Sequence, residues 1–136
     1  MIEISEISID LRNEDDILIA RQTARKKMAD IGFGSADQTR MATAISELTR
    51  NVIKYAGEGV CHIVTGTSSS EICIKVEIED YGPGIVDVDK AMEDGYTTGG
   101  GLGAGLPGAK RLVNDFQIES QPGLTKINLE MSRPHV

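Results

Sequence analysis

Tryptophan is absent from this chain of 136 residues, and Phe and Tyr together supply only 4% of it. At this length, folding buries about two thirds of the surface of the unfolded chain. The core must therefore be built from aliphatic side chains and methionine. Apolar residues make up 40% of the sequence, which is typical of a globular protein and not of a disordered one. The length predicts a single domain over residues 1–136.

Positive charge and long apolar runs are also scarce. There are 14 Lys and Arg against 21 Asp and Glu, which gives a formal net charge of −7. DNA, RNA and anionic membranes are bound through basic surfaces, so the composition argues against all three as partners. No apolar run approaches the roughly 20 residues that span a membrane. The first ten residues, MIEISEISID, are acidic and alternating, unlike a signal peptide, and we expect a cytoplasmic protein.

Only two cysteines are present, Cys61 and Cys73. They are too few and too isolated for a disulfide framework or a zinc site. Both fall in predicted strands, and we expect buried thiols in a reducing compartment. The two histidines, His62 and His135, are far apart in the sequence, and we assign neither a catalytic role.

The spacing of apolar residues predicts the element order β-α-α-β-β-α-β-β. Residues 2–10 alternate as a strand, and Asn13 is expected to cap a first helix that ends at Gly32. A capping box of Ser35 and Gln38 is expected to start a second helix that runs to about residue 56. The later predicted elements are strands at about 60–66 and 71–80, a helix at about 106–116, and strands at about 117–121 and 125–131.

These elements predict the α+β class: a two-layer sandwich with a mixed, mainly antiparallel sheet and helices on one face. The segment from residue 81 to 105 is interrupted by glycines and contains only a short helical piece, near residues 87–94. Long loops inside compact domains are usually lids or binding loops. Residues in and around this segment are therefore expected to carry binding chemistry.

The first candidate cluster is EDYGPGI, from Glu79 to Ile85, at the end of the predicted strand EICIKVEIED. Asp80 keeps the parity of the apolar residues of that strand, so its carboxylate is expected to face the core side. A carboxylate placed there needs partners, and a ligand amino group would be one. The alternative is that Asp80 caps its own turn. Gly82-Pro83-Gly84 turns the chain sharply and leaves its backbone bare.

The second cluster is ELTRN on the second helix. Glu47 and Asn51 are four residues apart, so they lie on one face of that helix, beside the apolar stripe. The amide oxygen of Asn51 could bind a hydrated Mg²⁺, and Glu47 could act as a general base next to it. The alternative is an ordinary polar helix face with local ion pairs.

The third cluster is DGYTTGGGLGAGLPG, residues 94–108. Its alternating glycines precede a helical pattern that begins at Leu106. Bare backbone N–H groups at the start of a helix form an anion site that suits phosphate groups. The alternative is a flexible hinge at Gly99-Gly100-Gly101, and no Gly-Lys-Ser/Thr follows to make a Walker loop. The three clusters together are the parts that a nucleotide site requires.

In order and spacing, ELTRN, DYGPGI and GGGLGAGL resemble the GHKL, or Bergerat-fold, ATPases and kinases. That superfamily includes gyrase, the Hsp90 chaperones, MutL proteins and histidine kinases. The resemblance covers nearly the whole chain and points to the anti-sigma-factor serine/threonine kinases. Within that branch, GFGSADQTRMATAISELTRN and MEDGYTTGGGLGAGLPGAKRL are similar to the RsbT-type switch kinases of the stressosome.

The resemblance implies that the chain binds ATP and Mg²⁺, and it assigns roles to matching residues. Glu47 would be the catalytic base, Asn51 the Mg²⁺ ligand, and Asp80 the residue that binds the adenine amino group. The implied nucleotide-binding set is Asn51, Asp80, Gly82, Gly84, Thr97, Thr98, Gly99, Gly100, Gly101, Leu102, Gly103, Ala104, Gly105, Leu106 and Thr125.

The sequence departs from the family pattern at two places. Tyr55-Ala56 stands where many relatives have His-Ala. The segment PGLT, which ends at Thr125, lacks one glycine of the usual Gly-x-Gly-Thr. The second departure bears directly on the role implied for Thr125.

The resemblance implies a serine/threonine protein kinase that transfers the γ-phosphate of ATP to Ser or Thr of STAS-domain proteins. Such a kinase is held by a stressosome-like STAS complex, leaves after phosphorylating it, and activates a metal-dependent serine phosphatase. One alternative is an anti-sigma factor that sequesters a sigma factor, with phosphorylation regulating its release. Another is a conformational ATPase, although no transducer domain is recognisable in the sequence.

Overall fold

The computed structural model describes residues 2–85, residue 92 and residues 105–135. Its strands are β1 (Ile2–Leu11), β2 (Gly59–Thr67), β3 (Glu71–Asp80), β4 (Asp115–Gln121) and β5 (Leu124–Pro134). Its helices are α1 (Glu14–Ile31), α2 (Ser35–Tyr55) and α3 (Gly105–Leu112). This order confirms the predicted β-α-α-β-β-α-β-β. None of these three helices is long and apolar enough to cross a membrane.

The five strands form one sheet in the order β1-β2-β3-β5-β4. Each of the four pairings is antiparallel, so the prediction of a mixed sheet is wrong in that detail. The reason lies in the connections. The short loop between α1 and α2 makes them an antiparallel helical pair, which returns the chain to the end of β1, where Leu11 pairs with Gly59. The architecture is otherwise the predicted α+β sandwich.

The core lies between one face of the sheet and the helices. It is aliphatic and methionine-rich, as the shortage of aromatic residues predicted. Alternate strand residues supply one side, and the inner faces of α1 and α2 supply the other. The largest fully buried core side chains are Leu11, Met28, Met41, Ile45, Leu48, Ile63, Ile74, Val76, Ile78, Leu129 and Met131.

The start of α1 is capped as predicted. The side chain of Asn13 accepts hydrogen bonds from the backbone N–H groups of Asp15 and Asp16, at 2.9 and 3.3 Å. The carboxylate of Asp16 accepts one from the backbone N–H of Asn13 at 3.2 Å, which completes a capping box. Gly32 ends the helix with a left-handed φ of 107°.

The capping box predicted for α2 is wrong. The N-cap of this helix is Gly34, whose carbonyl already accepts the N–H of Gln38 at 3.1 Å. Ser35 is therefore the first helical residue, where its side chain cannot serve as the cap. The amide of Gln38 donates instead to the carbonyl of Phe33 at 2.9 Å.

The third helix is shorter than predicted. It ends at Leu112, and residues 115 and 116, which were expected in the helix, belong to β4. There Phe116 pairs with Leu129 of β5, so sheet pairing overrides the local helical pattern. The short helical piece predicted near residues 87–94 lies outside the described residues, apart from residue 92.

Both cysteines are free and buried, as expected. Burial raises the pKa of Cys61 to about 12. Burial, together with the nearby carboxylate of Glu130, raises that of Cys73 to about 11. Both thiols are therefore protonated at neutral pH and are poor nucleophiles.

Candidate nucleotide-binding site

Asp80 is the last residue of β3, where it pairs with Gly59 of β2 on one side and with Thr125 of β5 on the other. It lies on the same side of the strand as Ile78, which is buried under the helices, as the parity argument predicted. One carboxylate oxygen, Oδ1, accepts a hydrogen bond from the backbone N–H of Gly82 at 2.9 Å. Asp80 therefore does cap its own turn, but only one of its two carboxylate oxygens takes part in that cap.

The environment of Asp80 suits a ligand that donates a hydrogen bond. Burial raises the pKa of this carboxyl group, and the bond from the backbone of Gly82 opposes that shift. Within the described part of the chain, the second carboxylate oxygen has no hydrogen-bond donor. A half-buried acceptor in this position fits an exocyclic amino group, such as that of adenine.

Thr125 supplies a hydroxyl group directly across the sheet from Asp80. It is buried, with 6% of its surface exposed, and its Oγ1 lies 2.7 Å from Oγ of Ser120. Ser120 also accepts the backbone N–H of Ile85 at 2.7 Å. These bonds connect the strand pair β4–β5 to the turn that follows Asp80, despite the glycine missing from PGLT.

Ser120 was not among the candidate residues from the sequence. It stands in no recognisable motif, and its position depends on the pairing of β4 with β5, which places it opposite Thr125. The alternation of exposed and half-buried residues in β4 could have placed it on the inner face. Its contact with the turn at Ile85 could not have been found that way.

Gly82 and Gly84 let the turn after Asp80 approach its neighbours closely. A Cβ atom on Gly82 would lie 2.7 Å from Cβ of Ala56, at the end of α2. One on Gly84, whose φ is +83°, would lie 2.5 Å from the carbonyl oxygen of Gln121. The backbone N–H of Gly123 donates to the carbonyl of Gly82 at 2.9 Å. The turn is therefore packed between α2 and the β4–β5 loop.

Glu47 and Asn51 lie one helical turn apart on α2, and both are half-buried. Oε1 of Glu47 is 3.5 Å from Nη1 of Arg50, and the Glu47 side chain is 23% exposed. The local ion pair of the alternative reading is therefore present, but exposed pairs of this kind contribute little. Glu47 is also one of the residues that line a groove of about 530 Å³ between α1 and α2.

The start of α3 is the described part of the predicted phosphate loop. Gly105 is its first residue, Leu106 packs against the core, and Pro107 is buried in the first turn. Backbone N–H groups in a first helical turn lack helical partners. The helix packs against α2. Eight predicted site residues lie outside the described residues: Thr97, Thr98, Gly99, Gly100, Gly101, Leu102, Gly103 and Ala104.

Comparison with known proteins identifies the family. A family model for histidine kinase-, DNA gyrase B- and HSP90-like ATPases matches residues 36–134. The chain is 49% identical over 113 residues to the serine/threonine-protein kinase RsbT of Bacillus subtilis (strain 168), covering 83% of this chain and 85% of RsbT. It is 34% identical over 85 residues to the anti-sigma F factor of Caldanaerobacter subterraneus subsp. tengcongensis, covering 60% of this chain and 59% of that factor.

Two solved structures share the fold. The crystal structure of the RsbU and RsbW domains of Rv1364c from Mycobacterium tuberculosis superposes with a TM-score of 0.65 and 19% identity, covering 96% of this chain. The histidine kinase domain of the blue-light activated histidine kinase from Erythrobacter litoralis EL346 superposes with a TM-score of 0.54 and 19% sequence identity, covering 85% of this chain. This chain spans 34% of the first structure and 59% of the second.

The family matched over residues 36–134 is the one that the three sequence clusters resembled. The identity to RsbT covers most of both chains, and the two solved structures agree in fold. The chain therefore belongs to the histidine kinase-, DNA gyrase B- and HSP90-like ATPase family, and within it to the RsbT-like serine/threonine-protein kinases.

Proposed function

We propose that this ATP-binding kinase phosphorylates Ser or Thr of STAS-domain proteins in a stressosome-like complex and works as a partner switch. In this proposal, the kinase leaves the complex after transfer and activates a metal-dependent serine phosphatase in the cytoplasm. The observation that carries the proposal is the 49% identity to RsbT over most of both chains. The two free, buried thiols agree with a reducing compartment.

Adenine would bind at the end of β3. The second carboxylate oxygen of Asp80 would accept a hydrogen bond from the adenine amino group, and the Thr125 hydroxyl lies beside it. Gly82 and Gly84 would keep the purine site narrow, because the turn they form is packed against Ala56 and Gln121. The charge on Asp80 is costly in the free protein, since burial raises its pKa, and a donor from the ligand would offset that cost.

Transfer would take place beside α2. Mg²⁺, when bound, neutralises charge on the phosphate oxygens, and the amide oxygen of Asn51 would be its ligand from this helix. Glu47 would accept the proton of the acceptor hydroxyl while that oxygen bonds to the γ-phosphorus and the bond to ADP breaks. The backbone of Gly105, with residues 97–104, would hold the phosphates at the start of α3.

A second candidate function is supported by the 34% identity to an anti-sigma F factor. In that case the chain would sequester a sigma factor, and phosphorylation of another protein would regulate its release. Capture experiments with purified STAS-domain proteins and purified sigma factors separate the two functions. Retention of the STAS-domain protein alone supports the switch kinase, whereas retention of the sigma factor supports the alternative.

The proposed reaction is tested with labelled ATP, Mg²⁺ and a candidate STAS-domain protein, followed by mapping of the labelled residue. We expect label on a Ser or Thr of the STAS-domain protein. The variant Glu47→Gln should lower the rate by at least about 100-fold and leave ADP affinity unchanged. Glu58→Gln, at an exposed glutamate between α2 and β2, is the matched control. ATP hydrolysis without transfer to a protein would support the conformational ATPase instead.

A further inference from the structure

The groove between α1 and α2 shares Glu47 with the proposed site of phosphoryl transfer, but its other lining residues have no role there. We call it the α1–α2 groove and define it by Arg21, Arg25, Thr39, Thr43, Glu47 and Arg50. Arg21 and Arg25 lie one helical turn apart on α1, so they project from one face of that helix. Arg50 projects from α2 on the opposite wall. The groove has a volume of about 530 Å³, which is enough for several side chains of another polypeptide.

The charge of this groove is opposite to that of the molecule. The chain carries a formal net charge of −7, yet the residues that line the groove include three arginines and one acidic residue, Glu47. Arg25 Nη1 is 3.3 Å from the Thr39 hydroxyl oxygen, and Arg50 pairs with Glu47. Arg21 has no ion-pair partner among the described residues. Guanidinium groups arranged in this way bind carboxylates and phosphates, often through two hydrogen bonds each.

The position of Glu47 connects the groove to phosphoryl transfer. A general base must lie within hydrogen-bond reach of the hydroxyl group it deprotonates. Because Glu47 is among the residues that line the α1–α2 groove, the groove gives an acceptor segment a path to that base. The same segment would then pass the three arginines.

We propose that the α1–α2 groove is the docking site of the acceptor protein and selects a segment whose acceptor hydroxyl is flanked by acidic residues. The proposal rests on the proposed function, because it takes Glu47 as the base. Arg21 and Arg25 bind the flanking carboxylates. The hydroxyl group of Thr43 donates to the carbonyl of Thr39 at 2.9 Å, so it can only accept a hydrogen bond from the acceptor backbone. The pattern of charge sets specificity and the rate of association more than it sets total affinity.

The test measures binding of two fluorescent peptides by anisotropy. One contains a serine flanked on each side by three glutamates, and the other has glutamines in their place. The wild-type chain should bind the glutamate peptide more tightly, and added salt should remove the difference. The double variant Arg21→Glu, Arg25→Glu should weaken binding of the glutamate peptide by about tenfold or more, since it turns attraction into repulsion.

Lys26→Glu is the matched control, because Lys26 lies next to Arg25 on α1 but outside the groove. Its side chain is 75% exposed and pairs with Asp30, its one ion-pair partner in the described part of the chain. This variant should bind the glutamate peptide within about twofold of wild type. ADP affinity and the thermal midpoint of each variant report whether the fold is intact.

Equal affinity of the wild-type chain for both peptides, or undiminished binding by the double variant, would overturn the docking proposal. Either result, together with intact transfer to a STAS-domain protein, would leave the proposed function standing. Charge-selective peptide binding without any transfer to a STAS-domain protein would overturn the proposed function, and with it the assignment of the groove to an acceptor protein.

Discussion

Asp80 on β3 and Thr125 on β5 lie directly opposite each other in the sheet, on the side that faces the helices. The threonine is buried, and its hydroxyl group is already held by Ser120 at 2.7 Å. The carboxylate is held through one oxygen by the turn at Gly82. The second carboxylate oxygen of Asp80 is then a half-buried hydrogen-bond acceptor. The proposed recognition of adenine depends on this oxygen.

The variant Asp80→Asn should stabilise the nucleotide-free protein at neutral pH. Burial raises the pKa of Asp80 in the folded protein. Ionisation of this group therefore opposes folding once the pH exceeds its pKa in the unfolded chain, about 3.9. Asparagine keeps an acceptor for the Gly82 N–H but carries no charge. We expect a gain on the order of 1 kcal/mol or less, because the carboxylate keeps part of its solvent contact. Urea unfolding near pH 7 and near pH 4 should show the gain shrinking in acid.

Glu79→Gln is the matched control for that measurement, and it should act with the opposite sign. The hydroxyl of Tyr81 donates to Glu79 at 2.8 Å, and Lys126 lies 3.5 Å away, and these contacts lower the pKa of Glu79. The ionised Glu79 therefore stabilises the folded protein at any pH above the pKa that this residue has in the unfolded chain. That stabilisation is lost as the pH falls through its pKa in the folded protein. A gain in stability for Glu79→Gln at neutral pH would contradict this electrostatic account.

Gly84→Ala should destabilise the protein by about 2 kcal/mol or more. Alanine at a φ of +83° is strained, and its Cβ would meet the carbonyl oxygen of Gln121 at 2.5 Å. Gly57→Ala separates the two effects, because Gly57 has a similar φ of +86° with no atom within 4 Å of the added Cβ. Denaturant unfolding should show the smaller loss for Gly57→Ala. Equal losses would mean that close approach at Gly84 is unimportant.

Arg133→Met should cost about 1–3 kcal/mol of unfolding free energy. The guanidinium of Arg133 donates to both carboxylate oxygens of Asp37, at 2.9 and 3.1 Å, and to the side chain of Asn114 at 2.8 Å. It thereby joins β5 to the start of α2. Arg133→Lys should recover little, since an ammonium group cannot reproduce the paired geometry.

Arg40→Met is the control for that pair, since Arg40 also donates to Asp37, at 2.9 Å, but is 50% exposed. An exposed single contact of this kind should contribute less than about 1 kcal/mol. Equal destabilisation by Arg40→Met and Arg133→Met in urea would mean that the paired hydrogen bonds of Arg133 contribute no more to stability than the single contact of Arg40.

Several features predicted correctly from the sequence depend on local periodicity and capping, although the capping box predicted for α2 was wrong. The alternation of Ile72, Ile74, Val76 and Ile78 with other residues predicted both the bounds of β3 at residues 71–80 and the inward side of Asp80. Asn13 and Gly32 set the ends of α1 through their own backbone and side-chain chemistry. Such signals need no partner elsewhere in the chain.

The features that the sequence did not reveal depend on tertiary pairing. Phe116 continues a helical pattern but pairs with Leu129 in the sheet. Ser120 contacts Thr125 and the turn at Ile85 only because β4 and β5 form a hairpin. The arginines of the α1–α2 groove come from two separate helices, and their convergence appears only when those helices pack together.

The most direct test of the account is the affinity for ADP of Asp80→Asn compared with Glu79→Gln, measured by isothermal titration calorimetry. The two neighbours lie on opposite sides of β3, and only Asp80 faces the helices. We expect at least about tenfold weaker binding of ADP for Asp80→Asn, the effect of losing a hydrogen bond to a charged group, and wild-type affinity for Glu79→Gln. Wild-type affinity for Asp80→Asn would contradict the proposed adenine site.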